Sequence, residues 1–200
     1  MKSLFCLGMA AVASLSMGQV LNANATANNG SGGVFMEFTA VNSLSITSFD
    51  TFVTAGTGSA NIEFWTRPGS YAGFTASNAG WTLHDTAVVG ATSSTVLANV
   101  DMADISVGAG NVVSVYMHSV TANRGIRYFG TGTTSNTNFS NADLQLFTNT
   151  ARTGSAAFGG SAFSPRALAG NVNYTVVPEP MTMIAMGAGL LALARRRRAK

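Results

Sequence analysis

The chain has 200 residues, 10% of them charged, and a formal net charge of +3; the length fits one domain with accessory segments. The positive charge lies at the two ends: between Thr26 and Val177 there are five arginines, no lysine and seven carboxylates, a net of −2. Such a body has no basic groove for phosphates, so a nucleic-acid partner is not expected. The only cysteine is Cys6, which leaves the body without a disulfide framework, a thiolate nucleophile or a cysteine metal site.

In chain order, residues 1–25 read as a secretory signal with a signal helix. Lys2 supplies the positive start, Leu4 to about Met17 is apolar, and Ala23-Asn24-Ala25 is a small-x-small cleavage site. Cleavage is expected after Ala25, with Ala27 as the next choice. Residues 26–33, "TANNGSGG", read as a small polar linker.

From 34 to 177 the chain reads as one β-domain. The runs "GVFMEFTAV", "SLSITSF", "ANIEFWT", "GWTLHDTAVV", "STVLANV", "ADISV", "VVSVYMHSV", "GIRYF", "ADLQLFT" and "VNYTVV" alternate apolar and polar residues. Period two over four to eight residues marks half-buried strands. Gly, Asn, Ser and Thr clusters separate them. About ten short strands with no helical periodicity predict an all-β, antiparallel β-sandwich, jelly-roll-like. A β-barrel is the alternative.

Within that domain, "FWTRPGSYAGFTASNAGW" holds the densest group of aromatics: Phe64, Trp65, Tyr71, Phe74 and Trp81. Trp65 and Tyr71 are candidates for a sugar-stacking surface, with packing of Phe64 and Trp81 in the core as the simpler role. His84 and Asp85 are adjacent, so on a regular strand their side chains face opposite sides. Without a bulge they cannot act as base and orienting acid, and no G-x-S-x-G accompanies them. His118 reads as a strand-end residue. Asp101 and Asp104 approach a calcium pair, but they lack a full ligand loop, and no metal or cofactor is expected. Glu37, Glu63 and Asp143 have nothing in their spacing to fix a glycosidase pair. A non-enzymatic protein is the expectation.

The chain ends in "VVPEPMTMIAMGAGLLALARRRRAK". The prolines at 178 and 180 resist helix and make "VPEP" an extended strip. The uncharged run 180–194 would make a helix of about 22 Å, short of a ~30 Å hydrocarbon core. That is a marginal transmembrane helix. Arg195, Arg196, Arg197 and Arg198 would hold its end in the cytoplasm. This order of parts resembles the PEP-CTERM sorting signal of Gram-negative bacteria over residues 178–200. The resemblance implies Val177, Pro178, Glu179 and Pro180 as the sorting motif, read by an exosortase after export by the general secretion machinery. It further implies passage through the inner membrane, then the cell surface or an extracellular polysaccharide or biofilm matrix. A carbohydrate-binding module using Trp65 and Tyr71 is the alternative function.

Overall fold

The structure is a computed structural model, and it describes residues 17–131 and 136–178. The predicted signal helix and the C-terminal membrane helix fall on 1–16 and 179–200, outside the described residues. Every element within them is a strand. In chain order these are β1 (Gly18–Asn22), β2 (Asn29–Ala40), β3 (Leu44–Phe52), β4 (Ala60–Pro68), β5 (Thr82–Val89), β6 (Leu97–Val107) and β7 (Val112–Ser119). Then follow β8 (Ile126–Phe129), β9 (Asn138–Ser140), β10 (Leu144–Thr153), β11 (Ala162–Phe163), β12 (Ala167–Leu168) and β13 (Gly170–Val176).

They form two antiparallel sheets. The smaller has the order β1-β13-β3-β6, the larger β11-β10-β2-β7-β4-β5, with β8, β9 and β12 attached to it. Sheets of four and nine strands depart from the eight-stranded jelly roll. The inward residues of both make one core. Val34, Met36 and Phe38 of β2, Ile62 and Phe64 of β4, and Met117 of β7 face Ile46 and Phe49 of β3 and Val172 of β13. Phe49 stacks on Phe64 across the two layers, with ring centroids 5.8 Å apart. Alternation along each strand puts these residues on one side and leaves the other side to solvent or to loops.

Two expectations change here. The predicted linker 26–33 is partly strand, since β2 begins at Asn29 and Gly32 and Gly33 are buried. A Cβ on Gly32 would stand 2.1 Å from the Arg152 carbonyl oxygen. Glycine is there because β10 passes too close for a side chain. Likewise, Gly18–Asn22, inside the predicted signal, forms β1 and pairs with β13 along all five residues.

The two sheets are also tied at their edges. The pairing of β4 with β5 shifts register between Phe64/Trp65, opposite Asp85 and Leu83, so His84 is an extra residue in a bulge. The pairing of β3 with β6 shifts similarly between Asp101 and Ile105. With the pleat broken, both His84 and Asp85 reach one residue of β6. The His84 Nε2 meets the Ala103 carbonyl at 2.9 Å, and the Ala103 N–H donates to Asp85 Oδ2 at 2.6 Å. Backbone donors from Ala103 and Thr86 hold the Asp85 carboxyl below the usual range. The pair is a clasp between edge strands, with both functional atoms committed to backbone.

Candidate functional site

The outward face of the larger sheet carries rows of side chains set by strand register. Phe35 of β2, Tyr116 of β7 and Trp65 of β4 lie opposite one another. On one side of this row stand Gly33, His118 and Glu63; on the other, Glu37, Ser114 and Arg67. Three aromatics abreast make a broad apolar strip on a face that would otherwise meet water. Two loops cover most of it. The loop 69–81 brings Tyr71 and Trp81, and the loop 154–161 brings Phe158; with Phe35 and Tyr116 they form a second buried cluster. Phe35 stacks on Tyr116 at 3.9 Å and 5°.

The loops are pinned by polar contacts. Arg152 of β10 donates from Nε to the Gly159 carbonyl at 2.8 Å, from Nη1 to Thr75 at 3.0 Å, and from Nη2 to Gly160 at 2.9 Å. One guanidinium thus holds both loops. Trp81 Nε1 donates to the Phe74 carbonyl at 2.8 Å, and the Arg67 guanidinium lies 3.5 Å over the Phe74 ring. Arg67 also donates to the Ser70 carbonyl. Hydrogen bonds from charged donors contribute about 1.5–3 kcal/mol each. An Arg152→Ala variant is expected to lose at least the worth of one such bond, about 1.5–3 kcal/mol, and to loosen both loops together. Hydrogen exchange should speed up in both 69–81 and 154–161, and an effect confined to one loop would contradict the shared clamp.

Trp65 is the end of the aromatic row that the loops leave half-exposed. Its Nε1 donates to Glu63 Oε2 at 2.8 Å, and Phe158 meets its ring edge-on at 5.3 Å and 80°. These contacts fix the indole. It forms part of a shallow open cavity of about 380 Å³, lined also by Ala76, Ser77, Asn78, Ala157, Phe158 and Gly159. Phe158 holds a left-handed backbone, φ 59°, of the kind that surrounding structure must enforce. An apolar ring face with an amide and a hydroxyl beside it can accept the flat face of a pyranose.

Tyr71 does not share that surface. It is 3% exposed, stacked on Phe147 at 6.0 Å, and its hydroxyl accepts from the Asn149 N–H at 3.0 Å. It is a core residue because its own loop folds back over the sheet. Burial pushes its pKa up to about 12, so it stays neutral. The other sequence candidates are dispersed. Glu37 and Glu63 pair with Ser114 and His118 of β7; that separation is four residues, about 13 Å along the strand. Asp143 accepts from Asn42 and Tyr174. Asp104 accepts from Ser45 at 3.1 Å, and the Asn99 amide turns to Ser48 and Asp50. Among the described residues no three His, Cys, Asp or Glu side chains come together to hold a metal ion.

His118 is fully buried in β7. Its Nε2 donates to the Gly154 carbonyl at 3.1 Å, while Nδ1 has no partner among the described residues. Burial holds its pKa below the usual 6.5, outweighing the Gly154 bond and the nearby Glu63 charge. The unfolded chain therefore takes up a proton at a higher pH than the native one. The stability from this site is present above about pH 6.5 and declines below it. The denaturation midpoint should fall between about pH 7 and pH 5, and His118→Gln should flatten that fall.

At the far end of the chain, β13 runs out at Val176. Val177 is 49% exposed, with its N–H donating to the Ser43 carbonyl at 2.8 Å. Pro178 follows, and Glu179, Pro180 and the arginines Arg195–Arg198 lie outside the described residues. Residues 176–198 match the family model described as the PEP-CTERM protein-sorting motif. The motif implies export, membrane-associated sorting and processing by an exosortase. No curated protein matches the chain.

Proposed function

We propose that this is a non-enzymatic exported protein whose β-domain is delivered by an exosortase to the cell surface or to an extracellular polysaccharide matrix. The carrying observation is the sorting motif at residues 176–198, set where the last core strand leaves the fold through exposed Val177. A processing enzyme there would meet the motif directly after the last strand of the β-domain. The engagement of Asp85, His84, His118 and Asp143 in structural hydrogen bonds supports the non-enzymatic part of the reading. In a host with an exosortase, the mature protein should lack Arg195–Arg198 by intact mass. Changing both Pro178 and Pro180 to alanine should lower processing at least about tenfold, a change of ~1.4 kcal/mol in barrier, with the body still folded. Full-length protein kept in the inner membrane of that host would sink the proposal.

A second reading is favoured by the cavity at Trp65: the domain binds a neutral glycan there, with the indole stacked on a sugar ring. A glycan array probed with the exported protein tests it. Binding that Trp65→Ala abolishes and Phe163→Ala spares supports the reading; silence on every glycan removes it.

A further inference from the structure

The N-terminal signal contains several small-x-small triplets, and the fold discriminates between two of them. Ala23-Asn24-Ala25 is one; Ser16-Met17-Gly18 is the other. A cut after Ala25 would remove β1 and all the contacts it makes. β1 supplies a five-residue antiparallel ladder, from Gly18 opposite Thr175 to Asn22 opposite Asn171. Leu21 is 3% exposed and belongs to the main core. Beyond the strand, the Ala23 N–H donates to the Gly170 carbonyl at 2.9 Å, and the Gly170 N–H donates to Asn24 at 2.8 Å. The Asn24 side-chain amide donates to Leu168 at 2.9 Å and Asn136 at 3.3 Å. Without these residues β13 would become an open edge with unpaired backbone groups, the arrangement sheets avoid.

The earlier triplet leaves all of this in place. Upstream of it, Leu4–Ala13 is a continuous apolar run within the 7–15 residues of a signal core, and Ser14–Gly18, of mixed serine and apolar residues, leads from it to the cut. Gly18 is the first residue of β1, so a cut after it costs the ladder one end residue and no buried side chain.

We infer that signal peptidase cuts after Gly18, so that the mature chain begins at Gln19 and keeps β1 as part of its fold. The inference rests on the export reading above, and the test separates the two. The full chain is expressed in a Gram-negative host, and the N-terminus of the exported protein is labelled and read by mass spectrometry. An N-terminus at Gln19 is expected. Thr26 or Asn28 as the first residue overturns the inference and leaves export standing; a chain that keeps Met1 overturns both. Two variants sharpen the result without harming the fold. A Cβ on Gly18 would meet nothing within 4 Å among the described residues, and Ala25 is exposed. Gly18→Leu should cut processing at least tenfold, because the peptidase admits only a small residue at that position. Ala25→Leu should leave it unchanged. The reverse pattern overturns the assignment.

Discussion

Phe35→Ala is expected to destabilise the domain by about 3–5 kcal/mol, the usual range for a buried phenylalanine. For a chain of this size that lowers the melting temperature by roughly 6–20 °C. Phe35 is fully buried, and it is the hub of the second aromatic cluster. It stacks on Tyr116 and also meets Tyr71, Trp81 and Phe158, with centroids at 5.6, 5.7 and 6.2 Å. Tyr71 and Trp81 come from one loop and Phe158 from the other, so neither loop can move in to fill the gap without breaking its own anchors. The variant therefore leaves a cavity, and the loss exceeds simple transfer of the ring to water. Near-ultraviolet circular dichroism should lose intensity along with stability, since most of the ring contacts are aromatic. Chemical denaturation measures the energy; a loss under about 1 kcal/mol would mean the loops do not pack on the sheet as described.

Gly170→Ala is expected to destabilise by about 2–6 kcal/mol, combining ~1–3 for backbone strain with ~1–3 for overpacking. Gly170 has φ 134°, a conformation that side chains rarely adopt, and a Cβ there would stand 1.8 Å from the Asp50 carbonyl oxygen. Asp50 lies in β3 and is itself hydrogen-bonded, so it cannot retreat freely. The substitution would pry β13 from β3 at the point where β13 enters the sheet. Gly69→Ala serves as the comparison. Its φ is 73°, and a Cβ there would meet no atom of the described residues within 4 Å, so only the backbone term of about 1 kcal/mol should appear. Equal effects at both glycines would refute the close approach.

Period-two alternation located β2, β3, β4, β7, β10 and β13 to within a few residues, because each has one face in the main core. "STVLANV" and "ADISV" read as two strands and form one, β6, since the bulge near Ala103 interrupts the alternation without ending the ladder. Alternation could not show that loops cover the outer face of the larger sheet. That is why Tyr71 and Trp65 looked equivalent, although one is sealed and the other half-open. Small polar composition reads the same in a linker as in a strand crowded by its neighbour, which hid the start of β2 at Asn29. The role of Arg152 depends on three carbonyls from two loops, a convergence with no local signature. The His84–Asp85 clasp needed a bulge that the sequence does not mark.

β13 has β1 on one side and β3 on the other, and the tail continues directly from its end. Ladder bonds in an antiparallel pair lie perpendicular to the strands. Tension applied through Val177 along β13 therefore loads the bonds of both ladders in parallel, as shear, instead of peeling them one at a time. Under such a load the domain would resist unravelling as a unit. Its mechanical strength would rest on both neighbours of β13, the early strand β1 as well as β3.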